Sequence, residues 1–112
     1  MAFKKQASLT GFDRTFEVHP ECKPYTLRDN GFVNTKTGNF EYKRPLDSAH
    51  KQGLQLKVMV NKNLDQLKIS TVTASGLNAV NVMNLENNDM LVEKINFIFD
   101  GFVERHCLKE VD

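Results

Sequence analysis

Two short stretches hold the residue types that could do chemistry: HPEC, residues 19–22, and RHC, residues 105–107. Between them they contain both cysteines and two of the three histidines. A His-x2-Cys pair has a spacing that chelates zinc, and two such halves would complete a four-ligand N/S site. The second half fits poorly. On a helix His106 and Cys107 diverge by about 100°, with His106 on the apolar face over the last turn of the core and Cys107 near its polar edge. Pro20 makes HPEC a turn at a strand end. Reactive thiols need an electropositive, partly exposed setting, and Cys107 has Glu104 and Glu110 nearby as well as Arg105 and Lys109. No metal ligand, cofactor or catalytic residue is therefore expected. A thiol-dependent enzyme or sulfur carrier using Cys22 or Cys107 stands as an alternative.

Other catalytic patterns are missing. There is no Gly-x-Ser-x-Gly elbow and no glycine-rich phosphate loop. Ser48, Ala49 and His50 are neighbours in sequence, which does not make a triad. Glu86 and Asp89 sit where a helix begins, so capping explains them more simply than acid–base work.

The elements that must position these residues read as α+β. In GLQLKVMVN, Leu54, Leu56, Val58 and Val60 alternate with polar or flexible partners, the period of a half-buried strand. NKNLD turns the chain, LKISTVTA forms the next strand, SGLN turns again, and VNVMN reads as a third. Upstream, KTGN joins FVN to FEYK as a hairpin, with Gly38 in the turn. KPYTLRDNGF suits a short helix, with Pro24 at its first position and Gly31 at its C-terminal end, and a strand over Tyr25 to Arg28 stands as the alternative. AFKKQASL is a candidate edge strand, because Lys4 and Lys5 discourage edge pairing, and FDRTFEVHP is extended.

The last segment, NNDMLVEKINFIFDGFVERHCLKE, predicts one long amphipathic helix capped by Asn88 or Asp89. At about 100° per residue, Leu91, Val92, Ile95, Ile98, Phe99, Phe102 and Val103 share its core face. A sparser stripe of Met90, Phe97, Gly101 and Leu108 runs on another side at near-heptad intervals. This stripe is the candidate interface, for another protein or for self-association, and Gly101 would allow close approach. The expected whole is one domain, residues 1–112. A curved antiparallel sheet of four or more strands carries a short early helix and the long C-terminal helix on one face.

Composition excludes several classes. With 40% hydrophobic and 26% charged residues the chain is ordinary for a globular protein. No apolar run approaches the roughly 20 residues that span a bilayer. The N-terminus lacks an apolar signal region, so a cytoplasmic location with reduced thiols is expected. Net charge is +3 over residues 1–45, +2 over 46–83 and −4 over 84–112. That is weaker than the concentrated patch of a DNA binder. An RNA-binding module on the open sheet face is a further alternative, since Lys43, Lys57 and Lys68 point outward. Phe40 and Tyr42, however, fall on the side opposite Glu41 and Lys43, which removes the stacking platform that RNA-binding sheets use.

KPYTLRDNGF followed by FEYKRPLD, then LQLKVMVN and the Phe-rich final helix, together resemble the DUF1831 family of lactic acid bacteria and related Firmicutes. The resemblance covers nearly the whole chain. It implies a TBP-like fold and, through genes neighbouring cysteine desulfurases, a role in sulfur handling or tRNA thiolation. It supplies no active site to carry over. The expected function is that of a cytosolic accessory or protein-interaction protein.

Overall fold

The computed structural model describes residues 3–47, 53–73, 79–85 and 88–111. Strand β5 (Leu54–Val60) alternates buried and half-buried side chains without a break. It pairs antiparallel with β4 (Phe40–Asp47) on one side and β6 (Leu67–Val72) on the other. The β5–β6 turn is built by Asn61, whose Oδ1 accepts from the backbone N–H of Asp65 and of Gln66, each at 3.0 Å. A short strand β3 (Val33–Asn34) pairs with the start of β4 through a hairpin in which Gly38 takes φ +87°. Helix α1 (Pro24–Asp29) ends where the sequence requires. Gly31 sits at φ +95°, the Gly31 N–H reaches the Arg28 carbonyl, and the Phe32 N–H reaches the Leu27 carbonyl. Those two bonds are the Schellman termination that glycine permits.

The architecture is α+β with two antiparallel sheets where one was expected: β3-β4-β5-β6, and a three-stranded sheet of β1 (Gln6–Ser8), β2 (Thr15–Val18) and β7 (Leu108–Val111) in the order β1-β2-β7. Lys4 joins them. Its N–H and carbonyl both bond Leu67, at 3.0 and 2.8 Å, so the chain just before β1 lies along the edge of β6. β1 is an edge strand of its own sheet, as expected, and Lys4 just before it bridges to Leu67 of the other.

Helix α2 (Asp89–Glu104) buries Leu91, Ile95, Ile98, Phe99 and Phe102. Phe99 packs on Phe16 of β2, with ring centroids 4.7 Å apart, while Phe102 meets Tyr42 of β4 at 4.9 Å and Phe32 at 5.4 Å. The helix therefore serves both sheets rather than one. Asn88 holds the N-cap position without a side-chain cap bond, its amide donating instead to the Val82 carbonyl.

Two sequence expectations are corrected. The helix does not run through Leu108. It stops at Glu104, and His106 adopts φ +61°. The His106 N–H then bonds the Val103 carbonyl, and the Cys107 N–H that of Phe102. This is again a Schellman termination, with histidine where glycine is usual, so composition did not announce it. VNVMN is not a strand. Val72 and Ala79 form a single bridge, and Val82–Asn84 is a 3-10 turn capped by Asn81, whose Oδ1 accepts from the Met83 N–H. A local side-chain cap outcompetes ladder pairing there. SGLN, Ser48 to His50 and Glu86 lie outside the described residues. No described helix is long and apolar enough to cross a membrane.

Candidate functional site

The outer side of α2 presents the least expected chemistry. Met90 is 81% exposed and Phe97 72% exposed, on a helix whose opposite side is wholly core. Seven residues make about two turns, so the two side chains stand on one line along the helix. Beside them runs an open groove of about 840 Å³, lined by Leu46, Met90, Glu93, Lys94, Phe97 and Asp100 among others. Lys94 donates to the Leu46 carbonyl at 3.2 Å, tying the groove wall to β4. Asp100 is held by Arg14 at 2.8 Å. That leaves Glu93 and Lys94 side by side on the groove wall, and the rim carries both signs of charge.

The predicted stripe survives in part. Met90 and Phe97 lie together as spaced. Leu108 does not join them, because it sits fully buried in β7, beyond the end of the helix. Gly101 is not bare either. A Cβ there would lie 3.2 Å from the Arg105 guanidinium, which folds back over it.

Arg14 was missed by the sequence reading. Its Nε and one terminal nitrogen grip both Glu110 oxygens, at 3.0 and 2.8 Å, and the other terminal nitrogen donates to Asn96 Oδ1 at 3.1 Å. Its guanidinium lies over the Phe16 ring at 5.1 Å. One side chain so links the start of β2, helix α2 and strand β7, and it holds the Glu110 carboxyl below its ordinary range. Nothing local in FDRTF signals this, since all its hydrogen-bond partners are distant in sequence.

HPEC and RHC do come together. The His19 N–H bonds the Cys107 carbonyl at 3.2 Å, and the Cys22 N–H closes the HPEC turn on the His19 carbonyl at 2.9 Å. Both cysteines are free and buried. Burial pushes the Cys22 thiol up to about 12 and the Cys107 thiol up to about 11. Neither is poised as a nucleophile, because the thiolate is the reactive form. Cys107 was expected near a polar edge and is instead core. The strand that follows it draws it inward.

His106 was expected to cover the core, and it stands on the surface instead. Its imidazole stacks on that of His19, centroids 4.5 Å apart and 17° from parallel. His106 Nδ1 lies 3.5 Å from a Glu21 carboxylate oxygen, and the Glu21 N–H donates to His19 Nδ1 at 3.0 Å. A left-handed conformation costs a non-glycine residue about 1–2 kcal/mol, so the His106 backbone is a strained feature beside a cluster of ligating groups.

The open face of the larger sheet is polar. Glu41 sits between Lys43 and Lys57, at 3.6 and 3.7 Å, and Phe40 and Tyr42 are buried on the other side, as their alternation predicts.

The DUF1831 family model, described as "Putative amino acid metabolism", matches residues 1–109. A crystal structure of a DUF1831 family protein from Lactobacillus plantarum superposes with a TM-score of 0.87, at 33% identity over 99% of each chain. No curated protein matches the chain.

Proposed function

We propose, from the premise that the chain belongs to the DUF1831 family, that it is a non-catalytic accessory protein of amino-acid metabolism that docks on another protein through the outer side of α2. The observation that carries this reading is the exposure of Met90 and Phe97 on one line of that helix. An exposed aromatic anchor beside a groove is what interface hot spots are made of. The rim, with Glu93 and Lys94 adjacent, favours a partner whose apolar patch is bordered by charges of both signs.

Finer points belong to the same proposal. The partner is sought in cytosolic sulfur handling or tRNA thiolation, the setting that the family's gene neighbourhood implies. The two sheets joined at Leu67 are read as a TBP-like curved surface within one domain. The thiol-enzyme alternative is weakened by the buried, proton-holding cysteines. The RNA-binding alternative is weakened by a sheet face on which Lys43 and Lys57 are paired to Glu41.

The test compares wild type with Phe97→Glu in circular dichroism, light scattering and retention of host proteins. The expected result is an unchanged fold and mass, with loss of a specific retained protein. Retention unaffected by the substitution would overturn the reading, and a halved mass would replace the partner with a second copy.

A further inference from the structure

We propose that His19, Glu21 and His106 form a binding site for a divalent transition-metal ion, with zinc the first candidate. Two imidazoles and a carboxylate are a donor set that zinc takes in three-ligand sites, with a fourth position left for water or a substrate. One ligand atom from each of the three residues lies within 4.8 Å of the others.

The main chain enforces that meeting. His19 is bonded through its N–H to the Cys107 carbonyl, and the turn that carries His106 is fixed by bonds to Val103 and Phe102. His106 Nδ1 lies 3.5 Å from a Glu21 carboxylate oxygen, and His19 Nδ1 accepts from the Glu21 N–H, so His19 ligates through Nε2 with that bond kept or through Nδ1 with it opened.

The stacked rings are not yet in ligating pose. A metal lies in the plane of each imidazole that binds it, and these planes are 17° from parallel. Bonds of roughly 2.0–2.1 Å would bring tetrahedral donors to roughly 3.3 Å from one another. Rotation of exposed side chains supplies that movement, since the side chains of His106 and Glu21 are 57% and 71% exposed. Diverging His106 and Cys107 side chains follow only from a helical backbone at these residues, and the left-handed turn at His106 replaces that backbone. The buried cysteines beneath are not needed as ligands, so the site is a nitrogen–oxygen one.

The experiment uses the full, tag-free chain, stripped with a chelator and titrated with Zn²⁺ alone against a chromophoric competitor. Co²⁺ spectra follow, and then the variants His19→Gln and His106→Asn, the latter because asparagine tolerates the left-handed backbone. The proposal expects one Zn²⁺ per chain and an affinity lowered about tenfold or more by each variant. It also expects no saturable binding in the double variant, and Co²⁺ bands without a thiolate charge-transfer feature. Wild type without saturable binding, a double variant that binds as well as wild type, or a thiolate band would each overturn it. Should the variants fail to fold, amide chemical shifts of wild type with added Zn²⁺ decide. Changes centred on His19, Glu21 and His106 support the site, and changes centred elsewhere overturn it.

Discussion

Phe97 and Phe99 lie two residues apart on one helix and should behave oppositely when truncated. Phe99 is fully buried, with its ring 4.7 Å from Phe16 and 6.5 Å from Phe12. An aromatic side chain buries about 150–250 Å². At about 25 cal/mol per Å² the transfer term is about 4–6 kcal/mol. Alanine recovers part of that, and the cavity it leaves adds some back, so Phe99→Ala should cost about 3–5 kcal/mol. Phe97 is 72% exposed, so little more than a quarter of its surface is shielded. The same arithmetic gives Phe97→Ala a cost of about 1 kcal/mol or less. Urea unfolding followed by far-ultraviolet circular dichroism measures both, with an unchanged slope required for the comparison. A Phe99→Ala cost below about 1 kcal/mol, or equal costs at the two positions, would refute the packing of α2 described above.

Three other outcomes follow from the same structure. Neither thiol should react with a disulfide reagent in the native state at neutral pH, and both should react on unfolding. Because the folded state holds these protons more tightly, their contribution to stability is whole below the ordinary thiol value of 9.0. It is lost as pH rises through about 11 for Cys107 and about 12 for Cys22, which urea melts at stepped pH will show. For Arg14 and Glu110, a double-mutant cycle with Arg14→Met and Glu110→Gln should give a coupling of about 0.5–1 kcal/mol, held down by the partial exposure of Glu110. Since Arg14 lowers the Glu110 carboxyl, that coupling is present above the ordinary carboxylate range and disappears as pH falls through the folded value.

The elements legible in the sequence were those fixed by local chemistry. Period-two alternation marked β5, and Pro24 and Gly31 bracketed α1. The apolar stripe from Leu91 to Phe102 marked the core side of α2. The failures have two causes: at VNVMN the local Asn81 cap outweighed strand pairing, and after Glu104 a distant partner outweighed a local pattern. Residues 105–110 keep a helical rhythm, but β2 offers a strand edge, and residues 108–111 pair with it. No glycine warns of the turn, because His106 fills the left-handed position. That same turn carries Cys107 and Leu108 into the core and His106 out to His19. Spacing on a helical wheel therefore misplaced His106, Cys107 and Leu108 and kept Met90 and Phe97 in place. The pairing of HPEC with RHC had one sequence signal, since each holds a histidine near a cysteine. Only the β2–β7 register made it a physical contact.

The central claim is that Met90 and Phe97 mark a docking surface, and the most direct measurement is affinity for the protein retained by the wild-type chain. That protein should be purified and titrated against wild type, Phe97→Glu and a remote control, Lys36→Glu, whose residue lies exposed in the β3–β4 turn. Hot-spot loss of about 2 kcal/mol or more predicts a dissociation constant at least about thirtyfold weaker for Phe97→Glu. The control should match wild type, and all three chains should give the same circular dichroism. Equal affinity for wild type and Phe97→Glu would contradict the account.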